Sequence, residues 1–299
     1  MGSLLLKEPR ATRLPDLIRI REALTAAGRK AYWTRLRAIR GQIGALDRAN
    51  QKALLTMLQD ARKAIIAEIG SARGFSAFYL RELTAEFNRV IDAFGARYGR
   101  LMSGATLEHI DLSSRLIFEP LARAGGPTIT NFVGLSPDVM EAAATMRGNL
   151  ITGITADLMR NIDREVRFVA LGIKSPWDAM GAIGRNLTDP SVFGSIATRA
   201  EIIMRSELGR ISSQATMAAM DQIKDVPGVK KRWLWSGISR EQHAAIDGQT
   251  VDIDDMFTTP DGSQAIAPRL FGDPAHDINC QCDVIVALED MEPKSEEGS

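Results

Sequence analysis

The residues able to hold a metal ion or carry a proton gather near one end of this chain. Both cysteines and two of the three histidines lie in the last seventy residues, as His243, His276 and the run Cys280-Gln281-Cys282. Thiolates and imidazoles are the donor types of tetrahedral zinc, and a loop-rich unit of about sixty residues gains from such a staple. The Cys-x-Cys gap is tighter than the two to four residues that usually separate zinc-binding cysteines. On a strand, positions 280 and 282 face the same side. Three states fit these facts: zinc held by Cys280, Cys282, His276 and His243, a plain buried pair of thiols, or a disulfide made on assembly.

Asp247-Gly248, shortly after His243, sets an acid near a base. An Asp-Gly pair is more often a turn. No nucleophile with a companion base stands out, nor does a Gly-rich phosphate loop. The residues therefore point away from an enzyme, and no catalytic residue is assigned. The alternative from that class is a zinc-dependent hydrolase or nuclease using His243, His276, Cys280 and Cys282.

These groups must be positioned by the elements around them. Lys230 to Trp235 reads as a strand, Arg240 to Ile246 as a short helix, Val251 to Ile253 as a brief strand, and Asp283 to Leu288 as the closing strand. Residues 254–279 read mostly as loop. Trp233 and Trp235, two apart on the first strand, share a face and serve as core anchors rather than a base-stacking platform. The preceding helix carries Arg199, Arg205 and Arg210 with Glu201 and Glu207. Such charges either pair along the helix, worth tenths of a kcal/mol, or dock it on the C-terminal unit. The docking candidates are Arg199, Arg205, Glu207, Arg210, Trp233, Trp235 and Arg240.

The first half is helical by periodicity. No Pro interrupts Lys30 to Ile69, and Leu36, Ile39, Ile43, Leu46, then Leu54, Leu58, Ala61, Ile65 and Ile69 form one stripe. A second stripe runs through Leu80, Leu83, Phe87, Val90, Phe94 and Tyr98. Together they predict a long antiparallel hairpin whose open face needs a third partner. Ser136-Pro137-Asp138 and Ser175-Pro176-Trp177-Asp178 are helix starts, and Thr188-Asp189-Pro190 predicts a last helix over 191–223. The fold class is predominantly α: a long N-terminal helical hairpin and a helical middle, followed by a small C-terminal α+β domain. The expected divisions are an elongated arm over 1–125, the middle over 136–224, the α+β domain over 229–290 and an acidic tail over 291–299.

A formal net charge of zero conceals a split. Residues 231–299 hold 5 Lys/Arg against 14 Asp/Glu, whereas residues 1–48 hold 11 against 4. A basic segment attracts nucleic acid or an acidic protein surface, which makes Arg10, Arg13, Arg19, Arg21, Arg29, Lys30, Arg35, Arg37 and Arg40 the contact candidates. No apolar run of about eighteen residues is present to span a membrane. The first residues lack a signal-peptide pattern, so synthesis in a reducing cytoplasm is expected.

The segment from Trp233 onward resembles the C-terminal domain of the Mu F-like head morphogenesis proteins, minor capsid proteins of tailed bacteriophages. The resemblance rests on Trp233 and Trp235, Arg240 with His243, Asp247-Gly248, Phe257 and Asn279-Cys280-Gln281-Cys282. Gln281 stands where the family usually has Arg. Arg199 to Arg210 is similar to the helix that precedes the domain, and the resemblance covers roughly residues 140 to 288. It implies a non-enzymatic minor head protein of a phage or prophage particle, made in the host cytoplasm and housed inside the capsid near the portal. Its implied partners are the portal protein, other copies of itself and, through the basic N-terminal region, packaged double-stranded DNA. Its implied tasks are head assembly, DNA packaging or ejection, with no cofactor beyond the zinc option. Related domains occur fused to toxins, and none is expected after Leu288. A transient scaffold-like adaptor is the remaining alternative.

Overall fold

The computed structural model describes residues 26–72, 77–125, 135–189, 195–226, 228–238 and 240–288. The N-terminal hairpin is formed by α1 (Ala26–Ser71) and α2 (Ala77–Arg123), each about 70 Å long at 1.5 Å per residue. Three further helices follow: α3 (Pro137–Ala170), α4 (Pro176–Thr188) and α5 (Ile196–Asp221). Helix α4 starts as its sequence requires, with the Ser175 hydroxyl accepting from the Asp178 amide and Pro176 at the first position. The last helix begins later than expected. Its cap is Ser195, whose hydroxyl accepts from the Thr198 amide, while residues 190–194 lie outside the described residues, as does the acidic tail.

The third partner that the hairpin needs is mainly α5, joined by α3 and α4. One apolar core fills the bundle with Leu54, Leu58, Ile65, Phe87, Phe94, Ile154, Leu158, Met204 and Leu208. A second core begins where the first stops, with Tyr32, Leu36 and Ile39 of α1, Leu116, Ile117, Phe118 and Leu121 of α2, and Ala219 and Met220 of α5, all packed on the C-terminal unit. Between the two cores each long helix turns polar at the same level. There α1 carries Asp47, Arg48 and Asn50, α2 carries Thr106, His109 and Ser113, and α5 carries Glu207, Ser212 and Ser213. His109 ties this waist together: its Nδ1 lies 2.9 Å from Ser212 Oγ and its Nε2 3.2 Å from Asp47.

The C-terminal unit is built on a three-stranded antiparallel sheet ordered β2–β1–β5, from β1 (Val229–Leu234), β2 (Thr250–Val251) and β5 (Asp283–Leu288). Val229 pairs with Leu288 and Leu234 with Asp283, so the closing strand does return to the first. A short helix, α6 (Glu241–Ala244), links β1 to β2. The segment read as loop contains more order than its sequence announces. It holds a hairpin of β3 (Phe257–Thr258) and β4 (Gln264–Ala265), then the one-turn helix α7 (Pro274–Asp277), capped by the Asp273 carboxylate on the Ala275 amide. Among the described residues no helix is long and apolar enough to cross a membrane.

Candidate metal centre

Four local structures bring the thiols and imidazoles together. The β1–α6–β2 connection folds back because Gly248, at φ 79°, donates to Trp233 O while Trp233 donates to Gln249 O. Asp247 is spent on this turn, accepting from the Trp235 amide at 2.8 Å, so it does not form an acid/base pair with His243. The turn aims His243 inward from α6, where it is fully buried. From the other side, Asn279 at φ 59° reverses the chain after α7, and Cys280 and Cys282 follow, both buried. The cysteines lie just before β5 and not on the strand itself; both are nonetheless buried, with Gln281 between them half-buried.

His243 Nδ1 lies 3.4 Å from Cys280 Sγ and 3.8 Å from Cys282 Sγ. The three ligand atoms all lie within 4.8 Å of one another. On the far side of the ring, His243 Nε2 is 3.1 Å from His276 Nδ1, and His276 Nε2 is 3.2 Å from Asp261 Oδ2. Of the four residues expected to bind metal, three therefore converge, and His276 stands behind His243 instead. The walls are aromatic. Trp233 meets His243 edge-on at 5.3 Å, Phe257 meets Trp233 likewise, and Phe271 stacks on both imidazoles at 5.4 and 4.7 Å.

Arg269 closes the thiol side. It is buried in a left-handed conformation, φ 65°, and donates to Cys280 O at 3.2 Å and to Ser213 Oγ of α5 at 3.1 and 3.2 Å. The neighbouring Cys282 thiol and burial push the Cys280 thiol up above the ordinary range, while Arg269 pulls the other way. Such a thiol is a poor nucleophile, since attack needs an exposed, electropositive thiolate.

The docking candidates fall into two groups. Arg205 bridges α5 and the C-terminal unit, reaching Asn279 Oδ1 at 2.9 Å and Glu201 at 2.6 Å, while the Asn279 amide donates to Ser206 Oγ. Arg240 donates to His276 O and Ile278 O, tying α6 to α7. By contrast, Arg210 pairs with Glu207 on its own helix, and Arg199 pairs with Asp157 of α3. Trp233 is fully buried, but the strand ends at Leu234 and Trp235 is only half-buried. Of the basic candidates, Arg10, Arg13, Arg19 and Arg21 lie outside the described residues. Arg35 forms an ion pair with Glu119, and Arg40 one with Asp283 at 3.0 Å, which ties both into the fold. Lys30 and Arg37 are exposed and Arg29 is half-buried.

Asp261, Arg269 and Phe271 are the site residues that the sequence reading missed. Asp261 sits in an Asp-Gly hairpin turn, and Arg269 and Phe271 occur singly in what reads as loop, so no periodicity marks them. Beside the thiols lies a cleft of about 480 Å³ at the polar waist. Arg40, Asp47, Arg48, His109, Glu201, Arg205, Arg269 and Cys280 line it.

A helical platform packed on a small sheet with a buried His-Cys-Cys cluster is the architecture on which the chain resembles known proteins. Residues 142–285 match the family described as Phage Mu protein F like protein. That stretch, which runs from α3 into β5, is similar to this family over a little under half of the chain. A 95-residue stretch is also 35% identical to the NAD(+)-arginine ADP-ribosyltransferase EFV of Enterococcus faecalis, covering 31% of this chain and 19% of that protein. The chain thus spans about a fifth of that relative's length. No solved structure matches.

Proposed function

We propose that this is a minor head protein of a tailed phage or prophage particle, seated inside the capsid near the portal and acting by assembly without turnover. The observation that carries the reading is the Mu F-like region, 142–285, folded together with the 46- and 47-residue helices that precede it. The shared cores make the helical pair part of the same body, a shape suited to lying along neighbouring subunits. An apolar corner between α3 and α4, with Leu171, Ile173 and Trp177 each more than 60% exposed, supports a protein partner there. In this reading the basic N-terminal segment faces packaged DNA or an acidic portal surface, and the protein assists head assembly, packaging or ejection.

Quantitative mass spectrometry of gradient-purified particles, before and after DNA release and with external protease as control, tests this. A few protected copies per portal ring support an internal minor head protein. Complete absence from finished particles refutes the seating and leaves a transient assembly role.

A further inference from the structure

We infer that His243 Nδ1, Cys280 Sγ and Cys282 Sγ form a zinc site, with His276 and Asp261 as the groups that orient the imidazole. The distances match that geometry. Zinc–sulfur bonds of about 2.3 Å and a zinc–nitrogen bond of about 2.0 Å at tetrahedral angles separate nitrogen from sulfur by about 3.5 Å. The observed separations are 3.4 and 3.8 Å, so an ion fits between the three atoms with little rearrangement.

The orienting chain supplies a second and independent argument. Metal-bound imidazoles hold their other ring nitrogen on a carboxylate or similar acceptor, which fixes the tautomer. Here the Asp261 carboxylate stands 3.2 Å from His276 Nε2. A proton held there leaves His276 Nδ1 as an acceptor, 3.1 Å from His243 Nε2. That nitrogen then carries the proton of His243, and the free lone pair at Nδ1 points at both sulfurs. A buried imidazole needing only a hydrogen bond has no use for so long a relay.

Zinc binding here releases the two thiol protons to solvent and leaves a Cys₂His set. The fourth position falls to a non-protein donor such as water. The site joins α6 to the run before β5, two segments linked in sequence only through thirty-odd loop-rich residues, so its role is that of a staple. This assignment does not rest on the capsid reading.

The test uses the full chain, purified under reducing conditions without chelator. Metal analysis is expected to give one zinc per chain, and replacement by cobalt is expected to give an intense thiolate-to-cobalt charge-transfer band. Cys282→Ser is expected to abolish that band, while His276→Gln retains it and weakens zinc binding about ten- to a hundredfold. Should the variants fail to fold, cobalt titration of the folded wild type decides alone. A mass two hydrogens short with no metal would show a Cys280–Cys282 disulfide and overturn the inference. Free thiols with no charge-transfer band on excess cobalt overturn it equally.

Discussion

His243 Nε2 lies 3.1 Å from His276 Nδ1, and this contact fixes how protons are arranged across the buried site. Because Asp261 sits at the far nitrogen of His276, both rings are expected to carry their proton on Nε2 and none on Nδ1. Nitrogen-15 correlation spectra of the reduced, chelator-treated protein read the tautomers directly. Nδ1-protonated His243 would break the proposed chain at its first link.

Gly209 of α5 and Arg269 make a second, steric prediction. A Cβ at position 209 would approach Arg269 Cδ to 2.7 Å, and the guanidinium cannot swing away without abandoning Ser213 and Cys280 O. Gly209→Ala is therefore expected to destabilise by about 1–3 kcal/mol, overpacking outweighing the gain in helix propensity. At Gly104 of α2 a Cβ meets nothing within 4 Å, so Gly104→Ala is expected to stabilise by about 0.5–1 kcal/mol. Denaturant melts of the two variants must move in opposite directions.

Gly209 also shows where sequence reading reached its limit. The helices were legible because Leu54, Leu58, Ile65 and Ile69 repeat with the helical period, and because Ser175-Pro176 is a start signal made by local chemistry. Strand β5 was legible as an apolar run, and β1 as the Trp-bearing stretch that follows Pro227-Gly228. The stripe through Leu36 and Leu58 does not by itself disclose that two separate cores use its two ends. That division depends on polar residues of α1, α2 and α5 meeting at one level, a relation between distant segments. The same holds for the site. Cys280, Cys282 and His243 were legible by rarity of type, whereas Asp261 and Arg269 matter only through contacts made across the fold.

Lys231 gives a dependence on pH. It is fully buried on β1, donates to Ile266 O at 2.8 Å and lies over the Phe257 ring. Burial pulls its pKa from 10.5 down to about 8, against the opposing pull of Asp254 and Asp255. Between those two values the unfolded chain holds a proton that the folded one has released, so stability rises with pH across that window. Below about 8 the penalty of burying the cation is fully present. Relative to Lys231→Met, the wild type is expected to gain about 1–3 kcal/mol from pH 8 to 10. Parallel pH profiles from chemical denaturation of the two proteins would refute this.

The basic N-terminal segment predicts DNA binding of a definite kind. With Arg35 and Arg40 engaged by Glu119 and Asp283, the contacts fall to the other arginines and Lys30. Binding to duplex DNA is expected to fall steeply between low and high salt, without preference for sequence, as charge neutralisation requires. Replacing Arg10, Arg13, Arg19 and Arg21 by Ala is expected to flatten the salt slope, whereas Arg40→Ala leaves it nearly unchanged. Fluorescence anisotropy reads both, and salt-independent binding would exclude a DNA-facing role for this segment.

The join between α1 and the sheet is expected to rest more on Tyr32 than on the ion pair beside it. Strand β5 is a sheet edge, and the buried Tyr32 hydroxyl donates to its Val286 carbonyl at 2.7 Å; burial also raises that hydroxyl's pKa, keeping it a donor. Tyr32→Phe removes the donor and leaves the carbonyl sealed from water, at a cost of about 1–3 kcal/mol. Arg40 and Asp283 are each roughly one-third exposed, and a pair so wetted is worth about 0–1 kcal/mol. Equilibrium unfolding should thus rank Tyr32→Phe as more damaging than Arg40→Ala, and hydrogen exchange should show β5 amides opening first in the tyrosine variant. The reverse order would mean that charge, and not the buried donor, holds the helical pair to the Mu F-like unit.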